Sequence, residues 1–165
     1  MADPFEETRA KYRPARMTTL FIGESAPTGG TFFYYGNSQM MIYMQRATQS
    51  VLGGTGDYLD RFRAYGWFLD DLVLTPVDSL PFKERSVLCR GAQNSLAERI
   101  AEYRPLAIVS LLIGISKIVD AAARAAGTQA PLFRVPFPGN GQKNRFHEKI
   151  TAIIPALPRE APYPE

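Results

Sequence analysis

The chain has 165 residues, enough for one domain that buries most of a hydrophobic core. Hydrophobic residues make up 45% of it and charged residues 21%, which is typical of a globular protein. Its single cysteine, Cys89, excludes an intrachain disulfide and a four-cysteine zinc or iron–sulfur site. The longest apolar run, 106–115, is half as long as the ~20 residues of a membrane-spanning helix, and no signal peptide is expected. We therefore expect a cytoplasmic protein that binds neither a metal nor a membrane.

The 19 basic residues against 16 acidic ones give a net charge of +3, which is compatible with a polyanionic partner without requiring one. The positions of the basic residues are more informative than their number. Several stand near glycine-rich segments: Arg46, Arg85, Arg90, Arg134, Lys143 and Arg145.

Apolar runs typical of strands alternate along the chain with segments of helical periodicity. The predicted strands cover residues 18–22, 67–74, 106–112 and 132–135, and the predicted helices cover 38–52, 58–65, 94–103, 115–126 and 142–154. This alternation predicts an α/β fold with three αβα layers around a central four-stranded parallel sheet. Right-handed crossovers place all strand-to-helix loops at one edge of that sheet, where a site is expected.

Three parts of the chain are distinguished by composition. Residues 1–16 are polar and charged, and we interpret them as an N-terminal arm or a frayed helix. Residues 17–155 are predicted to form a single α/β domain, since no linker or repeat divides them. Residues 156–165 form a tail that is too rich in proline for regular structure.

The loop after the first predicted strand, residues 23–38, carries the most chemical groups. Glu24 and Ser25 follow the strand directly, and four consecutive aromatic residues occupy 32–35. Four aromatic side chains in a row cannot all point inward on a regular element, so one or two are expected to face a cleft. An aromatic wall beside backbone amides suits a planar ring such as a nucleobase. The alternative is that the aromatic residues only close the edge of the sheet.

The second predicted strand contains two adjacent acids, Asp70 and Asp71. A carboxylate in a buried strand is costly unless it is paired or neutralised, so at least one is expected to face the cleft or a partner. Neighbouring strand residues point to opposite faces, which predicts that the two acids are a poor pair for shared acid/base or metal chemistry. A helix cap or a surface ion pair is the alternative for Asp70.

The segment after the fourth strand combines glycines, amides and cations at the start of a helix, a pattern that favours phosphate binding. The residues concerned are Asn140, Gln142, Lys143 and Arg145. A solvated loop with a helix cap is the alternative. No Walker lysine motif and no Gly-x-Gly-x-x-Gly follows the first strand, so no nucleotide cofactor is expected.

Five segments, taken in order, resemble the uracil-DNA glycosylase superfamily over roughly residues 18–154. The segments are 20–27 for the first motif, 33–37 for the aromatic segment, 71–77 for the base-reading strand, 89–114 for the third strand with its lead-in, and 135–138 with 142–144 for the second motif and wedge loop. The double tyrosine, Tyr34 and Tyr35, is similar to the hypoxanthine-type branch. The resemblance implies the fold of that superfamily and a monofunctional DNA glycosylase that needs no cofactor.

The chain departs from the superfamily pattern at three points. An extra residue between Gly23 and Pro27 leaves open whether Glu24 or Ser25 stands at the water-activating position. Asp71 replaces the frequent asparagine that reads uracil, and Val135 replaces the frequent histidine of the second motif. These departures favour a base other than plain uracil, or a site that has lost its activity.

The resemblance also implies roles for individual residues. Glu24 would stabilise the positive charge of the sugar and orient water, while Ser25 hydrogen-bonds water or phosphate. The implied base-binding residues are Gly23, Phe33, Tyr34 and Asp71. Since an ionised carboxylate only accepts hydrogen bonds, Asp71 would select ring N–H or amino groups, as in hypoxanthine or a modified base.

The implied partner is lesion-bearing DNA, duplex or single-stranded, bound by a monomer. Asn140, Gln142, Lys143 and Arg145 would hold its phosphates. One alternative is a catalytically degraded module of the same fold that binds nucleic acid or nucleotides, favoured by Asp71 and Val135. Another alternative is a small-molecule hydrolase or nucleoside-processing enzyme.

Overall fold

The computed structural model describes residues 3–54 and 56–158, which fold around a sheet of four parallel strands. The strands are β1 (Thr19–Gly23), β2 (Trp67–Asp71), β3 (Ala107–Ser110) and β4 (Leu132–Arg134). Their order in the sheet is β2-β1-β3-β4, so β2 and β4 are the edges. Strands β2 and β3 are buried along their whole length, and β1 up to its last residue, as expected for a parallel sheet covered on both faces. The predicted α/β fold with a four-stranded parallel sheet is confirmed.

Eight α-helices connect and flank the strands in the described part of the chain. They are α1 (Pro4–Lys11), α2 (Gln39–Ala47), α3 (Gln49–Leu52), α4 (Tyr58–Ala64), α5 (Phe82–Gly91), α6 (Gln93–Tyr103), α7 (Ser116–Ala126) and α8 (Lys143–Ile153). Helix α6 packs on α7, and α2 packs on α8. This arrangement of helices about the sheet is consistent with three αβα layers.

Two elements differ from the sequence prediction for local reasons. The predicted helix 38–52 is divided at Thr48, whose hydroxyl donates to the Met44 carbonyl at 2.6 Å and contacts the Tyr58 hydroxyl at 2.8 Å. Strand β2 ends at Asp71 rather than at 74, and the Arg99 guanidinium takes the carbonyls of Asp71 and of Leu72, the residue after it.

Helix α5 was not predicted at all. Its apolar residues Phe82, Val87 and Leu88 are exposed. Because the helix does not bury an apolar face, its sequence lacks the regular apolar spacing from which a helix is recognised.

The N-terminal segment, expected as an arm or a frayed helix, contains the ordered helix α1. Asp3 caps this helix by accepting a hydrogen bond from the Phe5 backbone N–H at 2.9 Å. The Phe5 ring packs on Phe32 with centroids 4.7 Å apart, and Tyr12, just after the helix, stacks on Tyr34 at 5.1 Å. At the other end, part of the predicted tail, 159–165, lies outside the described residues.

Residues 32–37, here called the aromatic turn, close the outer edge of β2. Tyr34 is buried, and its hydroxyl donates to the Leu69 carbonyl at 2.8 Å and accepts from the Leu69 N–H at 2.6 Å. Asn37 closes the turn by accepting a hydrogen bond from the Phe32 N–H at 2.9 Å. The edge strand therefore has its backbone groups at Leu69 satisfied by a side chain. Within the described ranges, no helix has the length and apolar character needed to cross a membrane.

The Tyr34 hydroxyl is expected to contribute measurably to stability. Tyr34→Phe removes the partner of two buried backbone groups and should lower the free energy of unfolding by about 1–3 kcal/mol. The half-exposed neighbour Tyr35 provides the control, since Tyr35→Phe should change it by less than about 0.5 kcal/mol. Urea denaturation of both variants measures the difference, and equal stabilities would contradict the edge-closing role of Tyr34.

Candidate functional site

A cavity of about 400 Å³ opens at the carboxyl end of the sheet. Its walls come from the loop after β1, the end of β2, the aromatic turn and the segment after β3. The polar and aromatic side chains lining it belong to Glu24, Ser25, Thr31, Phe32, Phe33, Ser38, Gln39, Asp71, Asp78, Arg85 and Phe137. The volume falls within the range of about 300–1,000 Å³ that is common for small-molecule sites. The structure thus brings five of the predicted residues together, namely Gly23, Glu24, Ser25, Phe33 and Asp71.

Glu24 is held in the cavity wall by α5, a helix that is not among those predicted from the sequence. Its Oε1 accepts a hydrogen bond from the Arg85 guanidinium of α5 at 2.5 Å, and its side chain keeps 17% of its exposure. The Cys89 sulfur lies 4.0 Å from the other carboxyl oxygen. Burial, and then the Glu24 charge, raises the pKa of the Cys89 thiol, so this thiol is not activated as a nucleophile. The arrangement fixes a carboxylate that is still reachable from the cavity.

The Ser25 hydroxyl already has two partners within the protein. Its Oγ accepts the Val77 N–H at 3.1 Å and donates to the Ala26 carbonyl at 3.2 Å. A hydroxyl has one proton and two lone pairs, so one acceptor position remains for a ligand. Ser25 therefore ties the loop after β1 to the segment after β2, and of the two candidates for activating water only Glu24 offers a carboxylate.

The four aromatic residues divide into different roles. Phe32 and Phe33 are buried and line the cavity, whereas Tyr35 is 44% exposed. Tyr34 does not line the cavity, because its hydroxyl is bound to the backbone of Leu69 on the outer side of β2. The assignment of Tyr34 to base binding is corrected accordingly. One or two aromatic residues do face the cleft, as expected, and the others close the sheet edge.

The acids at the end of β2 form a buried charge network with two arginines. Arg9 of α1 places Nη2 2.7 Å from Asp71 Oδ2 and Nε 3.5 Å from Asp70 Oδ1. Arg99 of α6 places Nη1 2.7 Å from Asp70 Oδ2. The side chains of Arg9, Asp70 and Asp71 are at most 6% exposed. Both acids contact Arg9, and the surface ion pair or helix cap considered for Asp70 is wrong, since its carboxylate is buried and paired with Arg9 and Arg99.

The second oxygen of Asp71, Oδ1, lies against Gly23, and both residues line the cavity. A Cβ at Gly23 would lie 2.7 Å from this oxygen, so only glycine leaves the carboxyl group in place. Within residues 3–54 and 56–158, Oδ1 has no hydrogen-bond partner. Burial raises the pKa of Asp71 to about 6, against the opposing charge of Arg9. At neutral pH the cavity therefore presents one open carboxylate oxygen that needs a donor.

A second depression of about 460 Å³, here called the cationic groove, adjoins the cavity through Leu112 and Phe137, which line both. Its polar residues are Arg134, Gln142, Arg145 and Lys149. The three cations are exposed, and none forms an ion pair within the described residues. An unneutralised groove of this kind attracts anions.

Only half of the predicted phosphate-binding set lines the cationic groove. Gln142 and Arg145 do so, whereas Asn140 and Lys143 line neither the groove nor the cavity. Asn140 adopts a left-handed conformation with φ of 54°, which serves the turn before α8. Arg134 and Lys149 also line the groove, although neither is among the predicted phosphate-binding residues. Arg134 is the last residue of β4, and Lys149 lies one helical turn after Arg145 on α8, so these positions could have indicated them.

No protein-family model matches the chain, and no curated protein matches it either. Across the described ranges, no group of three or more His, Cys, Asp or Glu residues is placed to hold a metal ion.

The close approach of Gly23 and Asp71 leads to a stability prediction. Gly23→Ala should lower the free energy of unfolding by about 1–3 kcal/mol, because the new methyl group meets a carboxyl group that Arg9 holds. Gly29→Ala is the matched control in the same loop, since no atom lies within 4 Å of its added Cβ. Urea denaturation measures both, and an undisturbed Gly23→Ala variant would contradict the observed packing.

Proposed function

We propose that the protein is a DNA glycosylase that extrudes a damaged, deaminated or modified base and hydrolyses its N-glycosidic bond. The observation that carries this proposal is the shared wall, Leu112 and Phe137, between the carboxylate-lined cavity and the cationic groove. A flipped nucleotide places a flat base and anionic phosphates side by side, and the adjoining cavity and groove offer an aromatic pocket and cations in the same arrangement.

Glu24 is the proposed catalytic carboxylate. As the bond between the base nitrogen and C1′ breaks, the electron pair leaves with the base and positive charge develops on the sugar. The carboxylate stabilises this charge and accepts a proton from the water whose oxygen bonds to C1′. The departing base takes up a proton from solvent, and Glu24 returns its proton to solvent, so that one water is consumed in all. Arg85 holds Oε1 at 2.5 Å, and Oε2, whose neighbour is the Cys89 sulfur at 4.0 Å, is the oxygen proposed to take the proton.

Asp71 and the aromatic turn are proposed to select the base. Phe32 and Phe33 supply flat apolar walls, and Oδ1 of Asp71 accepts a hydrogen bond from the base edge. An acceptor selects bases that present a ring N–H or an amino group toward it, such as hypoxanthine or a modified base. Ionised Oδ1 cannot donate to a base carbonyl, so the hydrogen bond that an asparagine amide gives to uracil is not available to Asp71.

A second candidate function is a binding module that recognises a lesion or nucleotide without cutting. The observation that favours it is the ion pair of Glu24 with Arg85, which partly neutralises the proposed catalytic charge. A nucleoside-processing enzyme is less favoured, since a free nucleoside has no phosphate to occupy the cationic groove.

Glu24→Gln tests the catalytic role. We expect base release to fall by about 10²–10⁴-fold with little change in DNA affinity, because the amide cannot take a proton from water. Glu84→Gln, an exposed acid next to Arg85 on α5, is the control and should keep full activity. The measurement is strand incision after alkaline treatment of oligonucleotides that contain uracil, hypoxanthine or other lesions.

Two outcomes of that assay would contradict the proposal. A wild-type protein that binds the oligonucleotides but releases no base is the binding module. Activity on uracil alone that survives Asp71→Ala unchanged would refute the role of Asp71 in base selection.

The cationic groove predicts the salt dependence of binding. Arg145→Gln and Lys149→Gln should each weaken DNA binding and reduce the slope of log affinity against log salt by about 1, since each removes one phosphate contact. Lys143→Gln, at the start of the same helix but outside the groove, is the control and should change the slope less. Fluorescence anisotropy with labelled DNA measures the slopes. If activity depended neither on the salt concentration nor on the presence of DNA, the protein would instead be a nucleoside-processing enzyme.

A further inference from the structure

We infer that Arg9 is a positioning residue of the site, which from helix α1 holds one oxygen of Asp71 and thereby directs the other oxygen into the cavity. This inference deepens the proposed function and rests on it for the identity of the ligand. Helix α1 is then part of the binding site through Arg9, although none of its residues lines the cavity.

The geometry gives Arg9 two separate contacts with the cavity wall. Its side chain is 3% exposed and donates from Nη2 to Asp71 Oδ2 at 2.7 Å. Its guanidinium carbon lies 5.1 Å from the centroid of the Phe32 ring, a cation–π distance, and Phe32 lines the cavity. Because Oδ2 is occupied, the rotation of the Asp71 carboxyl group is fixed and Oδ1 is the only oxygen left for a ligand.

Aromatic contacts, rather than helix propensity, keep Arg9 in place. Helix α1 has eight residues, and a helix this short is marginal by itself in water. Phe5 packs on Phe32 at 4.7 Å, and Tyr12 stacks on Tyr34 at 5.1 Å, so both ends of the segment are attached to the aromatic turn. Arg9 also forms an ion pair with Glu6, one turn earlier on the same helix.

Among residues 3–54 and 56–158, Arg9 is the cation that bonds the Asp71 carboxyl group. Arg99 bonds the carboxylate of Asp70 and the backbone carbonyl of Asp71, but not the Asp71 carboxyl oxygens. The titratable and charged groups around Asp71 are Glu6 and Arg9 of α1, Tyr34 of the aromatic turn, Asp70 of β2, Arg99 of α6 and Glu24 across the cavity. Without Arg9, burial and the Asp70 charge raise the pKa of Asp71 and only the charge of Arg99 is known to oppose them, so the pKa is expected to lie above about 6.

The test measures the ionisation of Asp71 and its effect on activity in Arg9→Gln. Carbon-13 NMR of the carboxyl groups, assigned with Asp71→Asn, should show the Asp71 midpoint near pH 6 in the wild type. In Arg9→Gln it should move up by about 1–3 units, and the acidic limb of base release should move with it. Activity is lost as pH falls through the pKa because protonated Asp71 no longer offers a pure acceptor. Arg9→Lys, which keeps the charge, should shift the midpoint less.

Arg13→Gln is the matched control on the same segment. Arg13 pairs with Glu102 and is 40% exposed, so its loss should leave the Asp71 midpoint unchanged. A residue with only a structural role would lower stability without moving the pH profile. An unshifted Asp71 midpoint in folded Arg9→Gln overturns the inference.

Two further results separate this inference from the proposed function. A shifted midpoint in a protein that releases no base supports the role of Arg9 and counts against the glycosylase alone. If Arg9→Gln does not fold, the double variant Arg9→Gln/Asp71→Asn is measured. If the double variant folds, the recovery supports the coupling between Arg9 and Asp71. If the double variant fails to fold as the single Arg9→Gln variant does, the coupling is overturned.

Discussion

The buried charge network at the end of β2 is the constraint on which the rest of the site depends. Two adjacent carboxylates, Asp70 and Asp71, are removed from water, which is unfavourable unless each has a partner. The partners come from helices far apart in the chain, Arg9 from α1 and Arg99 from α6. Because a buried charge left alone is strongly destabilising, both helices are required to dock at this strand end.

The same network defines the shape and chemistry of the cavity. Arg99 takes the carbonyls of Asp71 and Leu72 at the end of the strand, while the Leu72 and Val73 N–H groups still donate to the carbonyls of Gly23 and Glu24. Arg9 takes one oxygen of Asp71, and the glycine at position 23 makes room for the other. The ion pair of Arg9 with Asp71 therefore stabilises the fold and also leaves Oδ1 of Asp71 as an acceptor without a partner among the described residues.

The two halves of the site differ in charge. The cavity is lined by carboxylates, whereas the groove beside it is lined by cations without partners among the described residues. Leu112 and Phe137 line both. A ligand that fills both has a flat neutral part and an anionic part, which is the composition of a nucleotide within a strand.

Local sequence determined the parts of this protein that depend on neighbouring residues. The alternation of apolar runs and helical periodicity predicts the four parallel strands, and the order of strand and loop places Glu24, Ser25 and Asp71 at one sheet edge. Only the tertiary structure decided which charges meet. Arg9 and Asp71 are 62 residues apart, and Arg85 and Glu24 are 61 apart, so no local pattern reports their contact. The four aromatic residues at 32–35 likewise look alike in the sequence. Which of them line the cavity and which close the sheet edge depends on the position of the free backbone groups of β2, to which Tyr34 binds.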